Sequence, residues 1–207
     1  PVTVGYLVCR LLLEKKKMYK YLKRNRFSTQ TSIIKNDAQQ PVGMISKVYK
    51  NFIQKCIGYL TLGLKLNQYE ICDVNNNSVA YIKVSRYMEK KHFKVEYHDS
   101  KGRQCEALFD KQSNGYEETY GILKIDGIIL NIHANEKHHT TIKDIKRDTQ
   151  IASWKQIGDY AYAEGNDGLF KEHQLLYILI MHAFANTYVS KRQTSLMFPG
   201  DRKSTRL

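Results

Sequence analysis

The fold is decided by the stretch FKEHQLLYILIMHAFANTYVSKR, which covers residues 170–192. From Leu175 to Ala185 only His182 interrupts an otherwise apolar run, in a chain that is elsewhere polar and basic. At about 1.5 Å per helical residue the run is roughly 16 Å long, whereas a bilayer core requires about 20 such residues. This helix is too short to span a membrane and too uniformly apolar to lie on a protein surface. It therefore requires an apolar enclosure within the fold.

The segments before this helix have the pattern of β-hairpins. One pattern recurs three times: apolar alternation, an Asp, a short polar turn and a second alternating run. It occurs in residues 32–45, 69–82 and 93–108. Asp and Asn bond their own backbone in turns and Gly adopts positive φ at low cost, so each copy predicts a hairpin. Asp126-Gly127 is the strongest two-residue turn signal in the chain and predicts a fourth hairpin. A fifth surrounds Arg147-Asp148.

Counting outward from these turns predicts about twelve strands. They lie near residues 19–27, 31–36, 42–49, 51–59, 66–73, 79–86, 92–98, 104–110, 118–125, 128–135, 140–146 and 150–156. A further segment from Asp159 to Glu164 is expected to extend the last strand. No Pro-, Gly- or Ser-rich linker divides the hairpins, so the sequence predicts one domain.

Twelve antiparallel strands have to close or stack to hide their edges. A closed barrel of this size has a backbone diameter of roughly 24 Å and leaves a lumen on the order of 12 Å. A helix with its side chains is about 10–12 Å wide, so the apolar helix would fill that lumen. We therefore predict a mainly β fold, a closed antiparallel barrel around a central helix of residues 170–192. His182 and Asn186 then require partners, because an unpaired buried polar group costs about 1–3 kcal/mol.

Repeated I-x-D-x-x-x-x-V-x-x-I hairpins are followed by IASWKQIGDYAYAEGNDGLFKEHQLLYILIMHAFANTY, residues 151–188. In this arrangement the chain resembles the tubby C-terminal-like superfamily, which includes tubby proteins, phospholipid scramblases and LURP-one-related plant proteins. The resemblance covers residues 18–192 and is nearest to the small bacterial-type members. His182 and Asn186 depart from it, since small or apolar residues would suit a threaded helix better.

The resemblance implies lipid-related functions. Tubby domains bind phosphoinositides through a basic surface, scramblases are lipid-handling proteins that respond to calcium, and the small bacterial members look like cytoplasmic, non-catalytic domains. No single ligand-contacting residue is carried over from the family.

Two basic segments are the candidate sites for an anionic lipid surface. KVSRYMEKKHFK lies around one hairpin tip, and YKYLKRNR makes up most of the first predicted strand. Their basic residues are Lys83, Arg86, Lys90, Lys91 and Lys94 in the first segment and Lys20, Lys23, Arg24 and Arg26 in the second. Basic residues near an anionic leaflet contribute about 1 kcal/mol each, so four or five together hold a domain at a membrane. The alternative is a solvated strand face whose charges discourage aggregation.

An acidic loop before the helix is a weaker candidate, for calcium. Its oxygen-bearing residues are Glu164, Asn166, Asp167 and Glu172. Their spacing does not match the helix-loop-helix calcium pattern, and a turn with acidic groups near a helix N-terminus explains them equally well. The His and Cys residues lack metal spacing. The sequence contains no recognised catalytic or nucleotide-binding motif, so we expect neither an enzyme nor a cofactor.

Both ends of the chain look foreign to the domain. Residues 1–17 are interpreted as upstream translation or as the end of a longer protein, and 193–207 as a tail whose residues 201–207 resemble a sequencing adapter. The formal net charge is +13, of which +3 lies in 1–17 and +2 in 201–207, leaving +8 for 18–200. A basic body favours anionic partners. Four Cys without paired spacing favour a reducing, cytoplasmic location.

The functional hypothesis is a non-enzymatic cytoplasmic domain, peripheral at the membrane, that binds an anionic phospholipid surface or a protein partner. Nucleic acid is a poorer partner, because no recognised nucleic-acid motif accompanies the basic residues. Two alternatives remain: a calcium-responsive, scramblase-like lipid-handling protein, and a purely structural domain of a truncated larger protein.

Overall fold

The computed structural model describes residues 16–25, 28–49, 51–60, 67–87, 90–98, 104–113, 118–125, 127–135, 139–166 and 168–186. Within these ranges the chain forms twelve strands and three helices. The strands are β1 (Lys17–Leu22), β2 (Ser32–Asn36), β3 (Pro41–Lys47), β4 (Asn67–Cys72), β5 (Ser78–Tyr87), β6 (Lys90–His98), β7 (Gln104–Ser113), β8 (Glu118–Ile125), β9 (Ile128–Asn135), β10 (His139–Asp144), β11 (Thr149–Ile157) and β12 (Tyr160–Gly165). The helices are α1 (Phe52–Leu60), α2 (Leu169–Glu172) and α3 (Gln174–Asn186).

All twelve strands belong to one antiparallel sheet in which chain neighbours pair. The order runs β1-β12-β11-β10-β9-β8-β7-β6-β5-β4-β3-β2. Strand β1 pairs with β12 along its whole length, from Lys17 opposite Gly165 to Leu22 opposite Tyr160. On its other side β1 pairs with β2 at Tyr19 and Lys20 alone. The prediction of a mainly β fold with about twelve antiparallel strands is confirmed, and full closure of the sheet depends on this short seam between β1 and β2.

The hairpin turns form as their residues predict. In the turn between β4 and β5, the Asp73 carboxylate accepts hydrogen bonds from the backbone N–H of Asn75 at 2.9 Å and of Asn77 at 2.8 Å. The Asn77 side-chain amide also donates to this carboxylate, at 3.0 Å, and is the main cause that holds the pKa of Asp73 below its ordinary value, with the backbone N–H groups adding to it. Asn76 adopts a φ of 65° and Gly127 a φ of 75°, the left-handed conformation that both residues tolerate.

One predicted strand is wrong. Residues 51–59 were expected to form a strand, whereas Phe52–Leu60 form helix α1. The Asn51 side chain accepts a hydrogen bond from the Gln54 N–H at 2.8 Å, which satisfies a free donor of the first helical turn. The twelfth strand instead comes from Tyr160–Gly165, which pairs with β11 and β1 as a separate strand and does not extend the preceding one.

The C-terminal helix is predicted correctly in place but is interrupted. Its first turn is the short helix α2, the chain turns at His173, and α3 then continues to Asn186. The last part of the predicted helix, residues 187–192, lies outside the described residues, as do residues 1–15 of the predicted leader 1–17 and the tail 193–207.

The core lies between α3 and the inward faces of the strands. Every residue of α3 from Leu175 to Ala185 is buried. The helix packs against β4, β5, β9, β10 and β11. Along each strand buried residues alternate with more exposed ones, as Leu130, Ile132 and Ala134 do on β9. In the described part of the chain, the helices are all too short or too polar to cross a membrane.

A close contact fixes the start of the helical segment. The Phe170 ring of α2 is buried, 5.8 Å from the Tyr19 ring and 6.1 Å from the Tyr177 ring, measured between centroids. Gly165, at the end of β12, lies directly beside it. A Cβ added at Gly165 would stand 2.2 Å from the Phe170 ring. Gly165 is therefore required by packing.

We predict that Gly165→Ala destabilises the protein by about 1–3 kcal/mol, because the added methyl group overpacks the Phe170 site. Urea unfolding followed by circular dichroism measures this change in the free energy of unfolding. The double variant Gly165→Ala/Phe170→Leu is expected to lose less stability than the sum of its two single variants. Simple additivity of the two losses would contradict the contact.

Candidate functional site at the Lys47 end of the sheet

The antiparallel order of the strands brings three of the chain connections and the end of α3 to one end of the sheet. Because odd-numbered strands run in one direction and even-numbered strands in the other, β1, β3 and β5 finish where β2, β4 and β6 begin. Helix α3 also ends here, since its residues His182 and Asn186 line one cavity together with Lys47, the last residue of β3. We call this the Lys47 end.

Lys47 is itself a buried cation. Gly43, Ile45 and Lys47 alternate on the inward face of β3, and Lys47 is only 6% exposed. Its Nζ lies 5.3 Å from the centre of the Tyr49 ring. A Lys is rarely buried to this extent without interactions that compensate the lost hydration. The Lys47 end therefore carries positive charge close to the C-terminus of α3, where the helix dipole favours a cation.

A chain of hydrogen bonds connects the sheet to the polar residues of α3. The Trp154 indole N–H donates to the Tyr21 hydroxyl oxygen at 2.8 Å. The same hydroxyl lies 2.9 Å from His182 Nδ1. On the other side of the imidazole, Nε2 lies 2.8 Å from the side-chain amide of Asn186. The two polar residues that the sequence placed inside the fold thus have partners: His182 contacts Tyr21 of β1 and Asn186 of its own helix, and Trp154 of β11 joins through the Tyr21 hydroxyl.

Two tautomers of His182 are compatible with these bonds. A hydroxyl oxygen has two lone pairs, so the Tyr21 oxygen can accept from the Trp154 N–H and from a hydrogen on His182 Nδ1, while Nε2 accepts from the Asn186 amide nitrogen. In the other tautomer the Tyr21 hydroxyl donates to Nδ1, and Nε2 donates to the Asn186 amide oxygen after the amide is turned over. In both, each ring nitrogen of His182 has a hydrogen-bond partner.

Burial keeps this network uncharged. Desolvation, assisted by the positive charges of Lys23 and Lys47, lowers the pKa of His182 to about 3. Desolvation likewise raises the pKa of the Tyr21 hydroxyl well above its ordinary value of 10.0, against a smaller lowering by the Trp154 hydrogen bond. Both groups are therefore neutral at physiological pH, and the network acts as a structural connection.

The cavity at this end is small. Its volume is about 30 Å³, and its lining includes Tyr21, Ser32, Lys47 and His182. Among the described residues the buried Ser32 hydroxyl has no hydrogen-bond partner. A space of this size holds a water molecule, which would satisfy that hydroxyl. The cavity is far too small for a lipid headgroup, so any such ligand has to bind at the outer surface.

The first predicted basic group lies along β1 and just beyond it. The Lys20 ammonium stands 4.1 Å from the centre of the Tyr160 ring. Lys23 donates a hydrogen bond to Gln156 Oε1 at 2.6 Å. Arg24 is exposed, while Arg26 lies outside the described residues. Lys20 and Lys23 thus make internal contacts, Lys23 lies just past the end of β1 at the Lys47 end, and Arg24 faces solvent.

The second predicted basic group lies on the β5–β6 hairpin. Lys83 pairs with Lys94 and Arg86 pairs with Lys91 across the two strands. Lys83 is exposed, and the Lys94 ammonium lies 3.2 Å from the Glu96 carboxylate. The structure describes the strand positions alone for Arg86, Lys90 and Lys91. The hairpin tip reaches the Lys47 end, whereas Lys83 and Lys94 lie farther along the strands.

Two of the four predicted calcium residues make structural contacts. Glu164 accepts a hydrogen bond from the Ser153 hydroxyl at 2.8 Å, and Asn166 donates its amide to the backbone of β11. Glu172 is exposed on α2, and Asp167 lies outside the described residues. Within the described ranges, no three His, Cys, Asp or Glu side chains come together as a metal site.

Three residues of the Lys47 end were missed by the sequence reasoning. Lys47 lies within the predicted strand 42–49, and its alternation with Gly43 and Ile45 is the signal for an inward position. Phe52 and Ile53 were assigned to a strand that does not exist, so their exposure on α1 was not foreseen.

Comparison with known proteins gives a family match over most of the described chain. The sequence model of the Tubby C-terminal like domain matches residues 19–184. Among solved structures, the crystal structure of a protein from Arabidopsis thaliana aligns with a TM-score of 0.43 and 8% sequence identity, over 81% of this chain and 90% of that one. No curated protein matches the sequence.

We predict that His182 makes the protein less stable in acid. The unfolded chain protonates this imidazole near its ordinary pKa of 6.5, whereas the folded protein resists protonation down to about 3. Between these values the unfolded state binds more protons, so the free energy of unfolding falls as the pH falls. The slope approaches about 1.4 kcal/mol per pH unit in this window. Urea unfolding between about pH 7 and about pH 4 measures it.

His182→Gln removes the titrating group, and the pH dependence of this variant is expected to be flatter than that of the wild type in the same window. The matched control is His98→Gln, because His98 is exposed at the end of β6. Equal slopes for the wild type and His182→Gln would contradict the buried neutral state.

Proposed function

Because the chain belongs to the Tubby C-terminal like domain family, we propose that it is a non-enzymatic, cytoplasmic domain that binds an anionic phospholipid surface through the Lys47 end. The observation that carries the proposal is the gathering of basic segments at this one end of the sheet. The protein is then a peripheral membrane protein, held by electrostatic attraction to negatively charged headgroups.

The two longest connections at the Lys47 end support an anionic partner. Residues 23–31 join β1 to β2, and residues 48–66 join β3 to β4. Together they contain six basic residues and no acidic residue. At the opposite end, the turns after β2, β4 and β8 each begin with an Asp. The shorter connections at the Lys47 end contain Glu89, Glu117, Glu136 and Asp159, which offset part of this charge. The remaining excess of basic residues at the Lys47 end would orient the domain toward an anionic surface.

Like charges across β5 and β6 give further support. Lys83 stands opposite Lys94, and Arg86 stands opposite Lys91. Like charges in directly opposite positions destabilise a pair of strands. Glu96 offsets part of this charge at Lys94. Anionic headgroups at the hairpin tip would offset more of it, so the arrangement favours a partner that brings negative charge.

The proposed mode of binding is contact with a surface. The cavity of about 30 Å³ admits a water molecule and excludes a headgroup. Binding would therefore sum many weak attractions, each of about 1 kcal/mol and each screened by salt. Selectivity for one headgroup is not expected from such contacts, and the density of negative charge should control affinity.

We also propose that the twelve strands act as a closed barrel. The pairing of β1 with β2 at Tyr19 and Lys20 and the burial of α3 on all sides support closure. Closure of the barrel would hold the two basic connections, residues 23–31 and 48–66, in fixed positions at the Lys47 end. The proposal does not extend to calcium-dependent lipid translocation, because Glu164 and Asn166 make structural hydrogen bonds instead of facing a common site.

We predict that replacing three basic residues of the Lys47 end weakens vesicle binding. The variant is Arg24→Gln/Lys90→Gln/Lys91→Gln. At about 1 kcal/mol for each charge, its partition coefficient onto vesicles of phosphatidylserine and phosphatidylcholine should fall on the order of a hundredfold. Vesicle flotation at low ionic strength provides the measurement.

The matched control removes the same charge from the opposite end. Its substitutions are Lys35→Gln, Lys146→Gln and Lys171→Gln, all at exposed residues. This control should bind nearly as well as the wild type, and neither protein should bind pure phosphatidylcholine. Equal losses in the two triple variants would mean that net charge alone attracts the protein, without a binding face.

A further inference from the structure

Helix α1 exposes two large apolar side chains at the Lys47 end. Phe52 is 77% exposed and Ile53 is 68% exposed, more than any other large apolar residue in the described part of the chain. They are consecutive residues in the first turn of the helix, and we call the two side chains together the α1 patch. An exposed apolar patch on a protein marks an interaction surface more often than a scattered single residue does.

The patch has a defined conformation. Asn51 caps the helix by accepting the Gln54 N–H at 2.8 Å, and its carbonyl oxygen accepts the Lys55 N–H at 3.2 Å. This cap fixes Phe52 and Ile53 immediately after β3. They therefore stand beside the mouth of the sheet, where Lys47, Tyr49 and Lys55 line a shallow depression together with Phe52.

The charges around the patch indicate what covers it. The connection that contains α1, residues 48–66, has three Lys and no acidic residue, and six of its residues from Ile57 to Leu66 are apolar or aromatic. A helix that combines Phe, Ile and Leu with Lys alone is typical of segments that lie in the interface of an anionic bilayer. The Lys stems can lie along the apolar surface while the ammonium groups contact headgroups.

We propose that α1 inserts Phe52 and Ile53 into the interfacial region of an anionic bilayer. The inference rests on the proposed function and adds to it the element that enters the membrane. Basic residues of the Lys47 end would contact headgroups, while the two apolar side chains reach the boundary with the acyl chains. Binding would then have an electrostatic part that salt removes and an apolar part that salt leaves in place.

The first test compares variants in vesicle flotation. With vesicles of phosphatidylserine and phosphatidylcholine, Phe52→Ser/Ile53→Ser should lower the partition coefficient by roughly tenfold to a hundredfold and make the remaining binding fully sensitive to about 0.5 M salt. The matched control is Val74→Ser/Ile145→Ser, which removes two exposed apolar side chains from turns at the opposite end. It should bind as the wild type does. Equal binding by Phe52→Ser/Ile53→Ser and the wild type would overturn insertion.

The second test measures depth with the variant Phe52→Trp. The single native Trp154 is fully buried, so its fluorescence gives a constant background that the wild type measures. Brominated lipids should quench the added indole in Phe52→Trp and leave the wild-type signal unchanged.

The outcomes separate the two proposals. Vesicle binding without quenching, and without an effect of Phe52→Ser/Ile53→Ser, would overturn insertion and leave the proposed function in place. Failure of the wild type to bind anionic vesicles at low ionic strength would overturn both, and would direct attention to a protein partner for the same patch.

Discussion

Enclosure of a helix that is apolar on every side is the constraint on which the rest of the structure depends. Eleven consecutive residues of α3 are buried, and most are large. Each large apolar side chain contributes about 1.5–3 kcal/mol when it leaves water, whereas a whole domain is stable by only about 5–15 kcal/mol. Exposure of α3 to water would therefore cost about as much as the entire fold gains. The buried apolar residues that alternate along each strand face α3 and provide this enclosure.

The polar residues of α3 determine how the helix is held at its C-terminal end. His182 reaches Tyr21 and, through it, Trp154, so a single network connects α3 with β1 and β11. This network lies beside Lys47 and beneath the basic connections that we propose as the binding face. The helix thus stabilises the position of the charged mouth, and the structural and proposed functional features meet at the same end of the protein. Acid that protonates His182 would weaken both together.

The sequence predicts the hairpins and the buried helix well, because both depend on local patterns. The strands at 118–125 and 128–135 have the predicted bounds, since Asp126-Gly127 defines their turn. Residues 51–59 were assigned wrongly because a short apolar run fits a strand or a helix, and the cap at Asn51 decided for the helix. The sequence predicts that buried His182 requires a hydrogen-bond partner. It does not identify Tyr21 as that partner, because the two residues are 161 positions apart in the chain.

Hydrogen exchange of the α3 backbone amides tests the enclosure of the helix most directly. If the sheet encloses α3, amides from Leu176 to Phe184 should exchange only through global unfolding, with a free energy of opening equal to that measured by urea. They should exchange as slowly as the most protected amides of β9 and β11. Opening of α3 at a clearly lower free energy than these strands would contradict the account, because the helix would then leave a sheet that remains folded without it.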